Sequence, residues 1–254
     1  MSHPKIICMG EPLIEFNQVD DTGRYLFGHG GDTSNCAIAA ARAGASVGFF
    51  TALGADEFGD SLMQLWADNG VDARHVLRNP DAHTGVYFVS HGESGHVFSY
   101  LRKGSAASRV APRDLPRSAI ENADILHVSG ISMAISADAS DAVLEAIDIA
   151  RAAGAKVSFD TNLRLKLWPL ERARALTEAA MRKADIALPG LEDAEQLVGI
   201  SDPDAIADHY LGLGAGIVAL TLGKDGCLVA TPDERRRVPG IRVSAVDATG
   251  AGDT

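Results

Sequence analysis

A glycine-rich segment near the end of the chain has the residues needed to hold an anion beside a carboxylate. Gly250, Ala251 and Gly252 leave the backbone bare, and Asp253 follows them directly. If a helix begins here, the backbone N–H groups point together at its positive end and form an anion hole. Phosphoryl transfer needs such a hole, and Asp253 could accept the proton of an attacking hydroxyl. A glycine turn with a helix-capping aspartate is the alternative for these four residues taken alone.

Two further glycine-rich loops are placed to bind a ligand. The run TLGKDG, Thr221 to Gly226, follows a predicted strand and offers glycines, a hydroxyl and Lys224 for contact with a polyphosphate. Near the N-terminus, residues 28–44 place a double glycine before a helix whose first turn is polar, which suits a hydroxylated ligand close to the backbone. No loop fits GxxxxGK[ST] or GxGxxG, so P-loop and Rossmann interpretations fail.

The composition restricts the class of partner. Of 254 residues, 46% are apolar and 22% are charged, as in an ordinary globular protein, and the formal net charge is −11. That charge argues against a nucleic acid or an anionic membrane as partner. An acidic protein that binds anions must therefore concentrate arginine, lysine and backbone N–H groups in one place.

Targeting signals and cysteine usage favour a cytoplasmic protein. The sequence has no run of about 18 apolar residues and no secretory signal at its N-terminus. Its three cysteines, Cys8, Cys36 and Cys227, are odd in number and have no metal-ligand spacing. We interpret them as buried free thiols in a reducing compartment.

Short apolar runs alternate with helical patterns along most of the chain, which is typical of βαβ units around a mostly parallel sheet. The predicted strands are Lys5–Met9, Val47–Leu53, Ile125–Val128, Lys156–Phe159, Ile186–Leu188 and Ile217–Thr221. The predicted helices are Ser34–Ala43, Phe58–Asn69, Ala139–Ala153, Leu170–Lys183 and Asp204–Leu213. The fold class expected is a doubly wound α/β sheet.

Two segments, 13–27 and 85–102, break this alternation because they are strand-like with no helix between the strands. The second has the pattern of a hairpin that turns at Gly92–Gly95. We expect both to form a small β-sheet that acts as a lid over one edge of the main domain. Exposed lid strands need covering, so a homodimer paired through the lid is expected.

The whole chain, 1–254, is predicted to be a single domain that is incomplete at its C-terminus. The final DATGAGDT, Asp247 to Thr254, has the pattern of a loop that opens a helix, yet no helix follows. A glycine-rich loop at the end of a chain has nothing to pack against. We therefore expect the natural protein to continue beyond Thr254.

Five motifs in this order resemble the ribokinase-like (PfkB) family of carbohydrate kinases. They are GGDTSN, ALGADEFGD at Ala52–Asp60, FDTNLR at Phe159–Arg164, TLGKDG and, most specifically, DATGAGDT. The resemblance covers the full length and implies a ribokinase-like fold with a β-lid, ATP as phosphoryl donor and Mg²⁺. It further implies that Asp253 is the catalytic base, that Gly250, Ala251 and Gly252 form the anion hole, and that Thr221, Gly223 and Gly226 lie along the nucleotide.

The chain departs from the family pattern at one place. Many relatives have Asn-x-x-Glu after the strand that corresponds to Ile186–Leu188, and this motif helps to organise magnesium. Here Gly190 and Asp193 hold those positions, followed by Glu195. Asp193 could act on the metal through water, while a solvated helix N-terminus explains these acids equally well.

Arginines and tyrosines near the lid narrow the substrate. Tyr100 and Arg102 are two residues apart, so they share a face of the return strand of the hairpin, and Tyr87 lies on the other strand. Arg164 follows a core strand at the edge of the sheet where α/β proteins bind ligands. Two arginines in one cleft suit a carboxylate, which guanidinium can bind bidentately. For each arginine alone, a surface ion pair is the alternative.

The motif GEPLIEF, Tyr87 in TGVYF, YLRKGSAAS and DTNLR resemble the 2-keto-3-deoxygluconate kinase branch of the family. This resemblance implies phosphorylation of the 6-hydroxyl of a sugar acid. It implies a sugar-acid site lined by Gly31, Tyr87, Tyr100, Arg102, Arg164 and Asp253, with Asn35 as a further contact. The alternatives are another kinase of the family, acting on fructose, ribose or a nucleoside, and a non-catalytic sugar- or nucleotide-binding protein.

Overall fold

The computed structural model describes residues 3–20, 22–92, 95–241 and 252. An eight-stranded sheet forms its centre, in the strand order β14-β13-β12-β11-β10-β9-β1-β4. From β12 to β4 in that order, each strand is parallel to its neighbour. Strands β13 and β14 add an antiparallel hairpin at the other edge, next to β12. These strands are β1 Ile6–Met9, β4 Val47–Phe50, β9 Ile125–Ser129, β10 Lys156–Asp160, β11 Ile186–Leu188, β12 Ile217–Thr221, β13 Cys227–Ala230 and β14 Arg235–Val238.

Helices follow most of the parallel strands, as the crossover from one parallel strand to the next requires. In the described part of the chain they are α1 Asp32–Arg42, α2 Glu57–Asp68, α3 Arg117–Glu121, α4 Gly130–Ala134, α5 Ala137–Ala152, α6 Leu170–Met181, α7 Leu191–Val198 and α8 Pro203–Gly212. All five predicted helices are present, with ends within a few residues of the predicted ones.

The central sheet is covered on both faces, which defines the doubly wound class. Along β1, Ile7 and Met9 pack into a large core with α3 to α8, whereas Cys8 between them faces a smaller core with α1 and α2. This alternation follows from the period of two along a strand. In the smaller core, the buried Trp66 donates its indole N–H to Ser34 Oγ at 2.9 Å and so joins α2 to α1. The predicted fold class is confirmed.

A second sheet forms the lid. Its order is β3-β2-β7-β8, built from β2 Leu13–Gln18, β3 Tyr25–Gly30, β7 Val86–Gly92 and β8 Gly95–Leu101. One face packs on the smaller core, where the ring centroids of Phe16 and of Phe58 on α2 are 6.0 Å apart. The other face carries Tyr87 and Tyr100 opposite each other. On the two outer strands, Leu26 is 68% exposed and Leu101 is 61% exposed. Pairing of two chains through these strands into a homodimer stays a prediction.

One predicted strand is wrong. Val47–Leu53 forms two strands rather than one: β4 ends at Phe50, and β5 Ala52–Gly54 pairs with β6 Leu77–Asn79 in a separate two-stranded sheet. Pairing with a partner distant in sequence decided this division. None of the helices in the described ranges is long and apolar enough to cross a membrane.

Candidate active site

A cleft of about 1670 Å³ lies between the lid and the carboxyl ends of β1, β10, β11 and β12. In open α/β sheets, ligands bind outside the carboxyl ends of the strands. Each residue predicted to contact the sugar, apart from Asp253, lines this cleft: Gly31, Asn35, Tyr87, Tyr100, Arg102 and Arg164. Residues scattered over more than half of the chain therefore meet at one place.

The lid wall of the cleft is aromatic. The Tyr87 and Tyr100 rings stack with centroids 5.8 Å apart, and the guanidinium carbon of Arg102 lies 5.3 Å from the Tyr100 centroid. Tyr87 is buried and its hydroxyl donates to Glu15 on β2. Stacking and the cation–π contact hold these side chains in one arrangement, and such a wall suits the apolar face of a sugar ring.

Gly31 at the start of α1 is required by the backbone. Its φ is 112°, and a Cβ there would lie 2.6 Å from the Glu11 carbonyl oxygen. A larger residue would be strained in conformation and would collide with the neighbouring chain. Gly31 therefore allows the N-terminus of α1 to approach the loop after β1 at the floor of the cleft.

Arg102 already has a carboxylate partner. It forms an ion pair with Glu11, and the two side chains are 11% and 0% exposed. Ser105 Oγ donates to the same carboxylate at 3.2 Å. Burial raises the pKa of Glu11, although Arg102 and Ser105 act in the opposite direction. Arg102 therefore has the ion-pair partner that was the alternative for it, but a buried one: Glu11 joins the end of the lid to the main domain, and contact of Arg102 with a sugar acid stays a prediction.

The Nε–H group of Arg102 remains available as a hydrogen-bond donor. Among the described residues, its buried Nε–H has no hydrogen-bond acceptor. An unpaired buried donor costs about 1–3 kcal/mol. An acceptor oxygen on a ligand in the cleft would remove that cost, so the guanidinium can still orient a ligand although its charge is paired.

Arg164 differs from Arg102 in its environment. It lies in the loop after β10, is largely exposed, and donates from Nη1 to the Leu163 carbonyl at 2.8 Å. The ion pairs found among the described residues leave it without a carboxylate within 4.0 Å. Its charge also acts on Asp193, whose pKa it lowers, but it forms no close ion pair with that carboxylate, so an anionic group in the cleft can still bind to it.

Asp193, at the start of α7, holds the loop that carries Arg164. Its Oδ2 accepts the Leu163 N–H at 2.8 Å and the Thr161 hydroxyl at 3.3 Å. Burial raises the pKa of Asp193, although the Leu163 N–H and Arg164 lower it. These contacts give Asp193 a positioning role, in addition to the magnesium contact through water that was predicted for it.

Residue patterns did not single out four buried polar groups of the cleft: His127 on β9, which lies in none of the motifs, and three that lie within them. Glu11 is one, and the others are Asp32, at the start of α1, and Asn162, whose Nδ2 donates to Asp32 Oδ2 at 3.0 Å. Asn162 has a φ of 28°, which asparagine tolerates better than most residues. Glu11, Asp32 and Asn162 lie inside the motifs GEPLIEF, GGDTSN and FDTNLR. Their place in these motifs was the feature of the sequence that could have identified them.

The predicted nucleotide contacts divide into two groups. Thr221, the last residue of β12, lines the cleft, whereas Gly223, Lys224 and Gly226 do not. Gly226 has a φ of 98°, and a Cβ there would lie 2.0 Å from the Val238 carbonyl oxygen. The hairpin of β13 and β14 therefore requires this glycine for its own packing.

Of the predicted anion hole, the described residues include Gly252, which is exposed and lines the cleft at the Thr221 end. Gly250, Ala251 and Asp253 lie outside the described residues, so their roles stay predictions. Gly252 and Thr221 thus line the same cleft as the lid residues, and their contact with phosphate stays a prediction.

The described residues do not form a protein cage for a metal ion. No group of three or more His, Cys, Asp and Glu side chains among them is arranged to hold one. Mg²⁺ commonly keeps several waters and binds through substrate phosphates with one or two carboxylates. The donor set near Asp193 fits contact through water, since its Oδ2 already accepts two hydrogen bonds.

A doubly wound sheet with a small β-sheet lid over a cleft at the carboxyl ends of its strands is the architecture of the ribokinase-like class. The sequence pattern of the pfkB family carbohydrate kinases matches residues 3–254, and the chain belongs to this family. It is a carbohydrate kinase, as the motif resemblance predicted.

Curated relatives include kinases for two kinds of sugar. The chain is 35% identical to 2-dehydro-3-deoxygluconokinase of Thermoproteus tenax, over 98% of this chain and 78% of that protein. It is 35% identical to 2-dehydro-3-deoxygluconokinase of Bacillus subtilis (strain 168), over 94% of this chain and 75% of that protein. Fructokinase-1 of Oryza sativa subsp. japonica is also 35% identical, over 98% and 79%.

Solved structures agree with the fold. A PfkB protein from Polaromonas sp. JS666 superposes with a TM-score of 0.90 at 33% identity, covering 98% of this chain and 85% of that one. A fructokinase with bound ATP from Xylella fastidiosa gives a TM-score of 0.89 at 30% identity, covering 98% and 77%.

Proposed function

We propose that the protein transfers the γ-phosphoryl group of ATP to the 6-hydroxyl of 2-keto-3-deoxygluconate. The observation that carries the proposal is Arg164, a cation in the cleft without a carboxylate partner among the described residues. A guanidinium binds a carboxylate through two parallel hydrogen bonds, and a sugar acid supplies that carboxylate. The similarity to two 2-dehydro-3-deoxygluconokinases supports the same substrate.

In this proposal the lid residues position the sugar. Tyr87 and Tyr100 would cover the ring, Arg102 would donate its Nε–H to a sugar oxygen, and Arg164 would bind the carboxylate. Gly31 and Asn35 would contact the sugar from the start of α1. Fixing the acid at one end presents the 6-hydroxyl at the other, and orientation of this kind supplies a large part of catalysis.

At the phosphate end, Asp253 would accept the proton of the 6-hydroxyl as its oxygen bonds to the γ-phosphorus. The bond from that phosphorus to the leaving oxygen of ADP breaks in the same step. Gly250, Ala251 and Gly252 would donate backbone N–H groups to the developing negative charge. Thr221, Gly223, Lys224 and Gly226 would lie along the nucleotide. When bound, Mg²⁺ neutralises phosphate charge, and Asp193 would hold it through water.

A neutral sugar is the second candidate substrate, and a specific contact favours it. Glu11 neutralises Arg102, so the cleft holds less uncompensated positive charge than two free arginines would. The similarity to a rice fructokinase at the same identity supports this alternative. Arg164 favours the sugar acid over the neutral sugar, because a neutral sugar has no carboxylate for it.

The substrate preference is directly measurable. We expect phosphorylation of 2-keto-3-deoxygluconate with ATP at a kcat/KM about 10- to 150-fold above that for fructose or ribose, since a bidentate charged contact contributes about 1.5–3 kcal/mol. Coupled release of ADP measures all three sugars. Gluconate, which has the carboxylate but not the keto group, is the matched control for binding of the acid. Comparable turnover of fructose would contradict the proposal.

The two arginines can be tested by conservative substitution. Arg102→Lys and Arg164→Lys keep the charge but lose the planar pair of donors, so the KM for the sugar acid should rise about tenfold or more. The KM for ATP should stay the same. Arg117→Lys is the matched control, because Arg117 pairs with Glu145 on α5, away from the cleft. Unchanged sugar-acid kinetics in both cleft variants would remove the arginines from the site.

A further inference from the structure

A cluster of two thiols and an imidazole lies beneath the cleft. Cys36 on α1 is half-buried and lines the cleft. Cys8 on β1 and His127 on β9 are partners in the parallel register of the sheet, and both side chains interact with that of Cys36. Cys8 is fully buried and His127 is 5% exposed. The cysteines are free thiols as predicted, but Cys36 is not fully buried, and solvent in the cleft can reach it.

The imidazole is held in one orientation. His127 Nδ1 lies 3.1 Å from Ser158 Oγ on the neighbouring strand β10, so its other ring nitrogen faces Cys36. A thiol between an imidazole and a second thiol has the arrangement that activates cysteine in many enzymes. Here the arrangement lies beside a sugar-binding cleft whose chemistry does not use it.

Charges around Cys36 favour its ionised form. The hydrogen bond from Cys8 and the neighbouring His127 lower the pKa of Cys36 to about 5, against the effects of burial and of Asp32. Burial lowers the pKa of His127, but its contact with Cys36 and the charges of Asp160 and Asp32 outweigh burial and raise it. The pKa of Cys8 is raised, mainly because it donates to Cys36. Both shifts favour an ion pair of a Cys36 thiolate with a charged His127 imidazole.

We propose that Cys36 is a site of oxidation by hydrogen peroxide and that Cys8 is its resolving thiol. The Cys36 sulfur attacks one peroxide oxygen, the O–O bond breaks, and hydroxide leaves with the proton supplied at His127 as water. The product is a Cys36 sulfenic acid. The Cys8 sulfur then attacks the Cys36 sulfur, the S–O bond breaks, and a second water leaves with the proton of Cys8. Two thiols lose two electrons, and peroxide gains them.

Oxidation at this position also changes the cleft. Cys36 follows Asn35 and lies one turn after Asp32, so a sulfenic oxygen or a shift of α1 toward β1 alters the start of α1 where the sugar is proposed to bind. We therefore expect oxidation to reduce sugar binding reversibly. This consequence rests on the proposed function, whereas the reactivity of Cys36 does not.

The first test compares Cys36 with Cys227 in the same molecule. Cys227 on β13 is also half-buried, but burial raises its pKa. With limiting iodoacetamide at pH 6, mass spectrometry of peptides should find Cys36 labelled first. Raising the pH to 8 should leave the Cys36 rate nearly constant and increase the Cys227 rate about tenfold per pH unit, since the thiolate is the nucleophile. Equal rates at pH 6 would overturn the proposal.

The second test identifies the resolving thiol. Full-length protein treated with hydrogen peroxide and digested without reductant should give a peptide in which Cys8 and Cys36 are linked, and dithiothreitol should reverse the link. The Cys8→Ala variant should instead accumulate a sulfenic acid that dimedone traps at Cys36, while Cys227→Ala should behave as the wild type. Should Cys8→Ala fail to fold, the wild-type peptide map decides alone: free thiols at both positions after peroxide would overturn the proposal.

A third measurement separates this proposal from the proposed function. Saturating 2-keto-3-deoxygluconate should slow labelling of Cys36 and leave Cys227 unaffected. Selective labelling of Cys36 that the sugar acid does not slow would contradict the sugar assignment and leave the thiol site intact.

Discussion

Replacing Asp253 with asparagine is expected to lower kcat by about 100-fold or more while ATP and sugar still bind. Asparagine keeps the shape and the hydrogen bonding of aspartate but cannot accept the proton of the attacking hydroxyl, and a general base contributes about 10²–10⁴-fold. Steady-state kinetics with coupled ADP release gives kcat, and isothermal titration gives both affinities.

Asp233→Asn is the matched control, because Asp233 is an exposed acid in the turn between β13 and β14. It should leave kcat unchanged. A near-normal kcat in Asp253→Asn would show that another group takes the proton, and weakened ATP binding would assign the carboxylate to the nucleotide instead.

Replacing Glu11 with alanine should lower the free energy of unfolding by about 3–5 kcal/mol, because it leaves the Arg102 guanidinium buried without its carboxylate. Glu11 is 0% exposed in its side chain and Arg102 is 11% exposed, so water cannot substitute for the lost partner. Urea denaturation of the two proteins measures the difference.

Two variants locate the origin of this effect. Asp124→Ala breaks the Lys5–Asp124 ion pair, whose side chains are 64% and 60% exposed. It should lower the free energy of unfolding by less than about 1 kcal/mol. The double variant Glu11→Met with Arg102→Met removes both charges and should recover most of the stability, since apolar side chains of similar volume replace a buried pair well. Its KM for the sugar should stay raised. If Glu11→Ala lowered the free energy of unfolding as little as Asp124→Ala does, the buried Arg102 guanidinium would not need Glu11 as its partner.

The order of local patterns was sufficient to predict the doubly wound fold. The period of two in strands such as Ile6–Met9 and the helical period in segments such as Ala137–Ala152 are properties of neighbouring residues. Parallel strands connected by helices then leave few possible topologies. The same holds for the lid, because β7 and β8 pair antiparallel up to Gly92 and Gly95, the two residues between which a hairpin turn was predicted.

Motifs also determined which residues meet in the cleft. Gly31, Tyr87, Tyr100 and Arg164 are far apart in sequence but stand at the ends of strands or on the lid, and the fold brings such positions to one edge of the sheet. The family and the carbohydrate kinase activity followed from the resemblance that these motifs carry.

Only the tertiary structure decided which charges are compensated and which thiols are reactive. Arg102 and Arg164 look alike in sequence, yet Glu11 pairs with Arg102 and leaves Arg164 available. Likewise, Cys36 differs from Cys227 because His127 and Cys8 contact it. The reason is physical: the charge state and reactivity of a side chain depend on burial and on partners within about 4–6 Å, and strands distant in the sequence supply those partners.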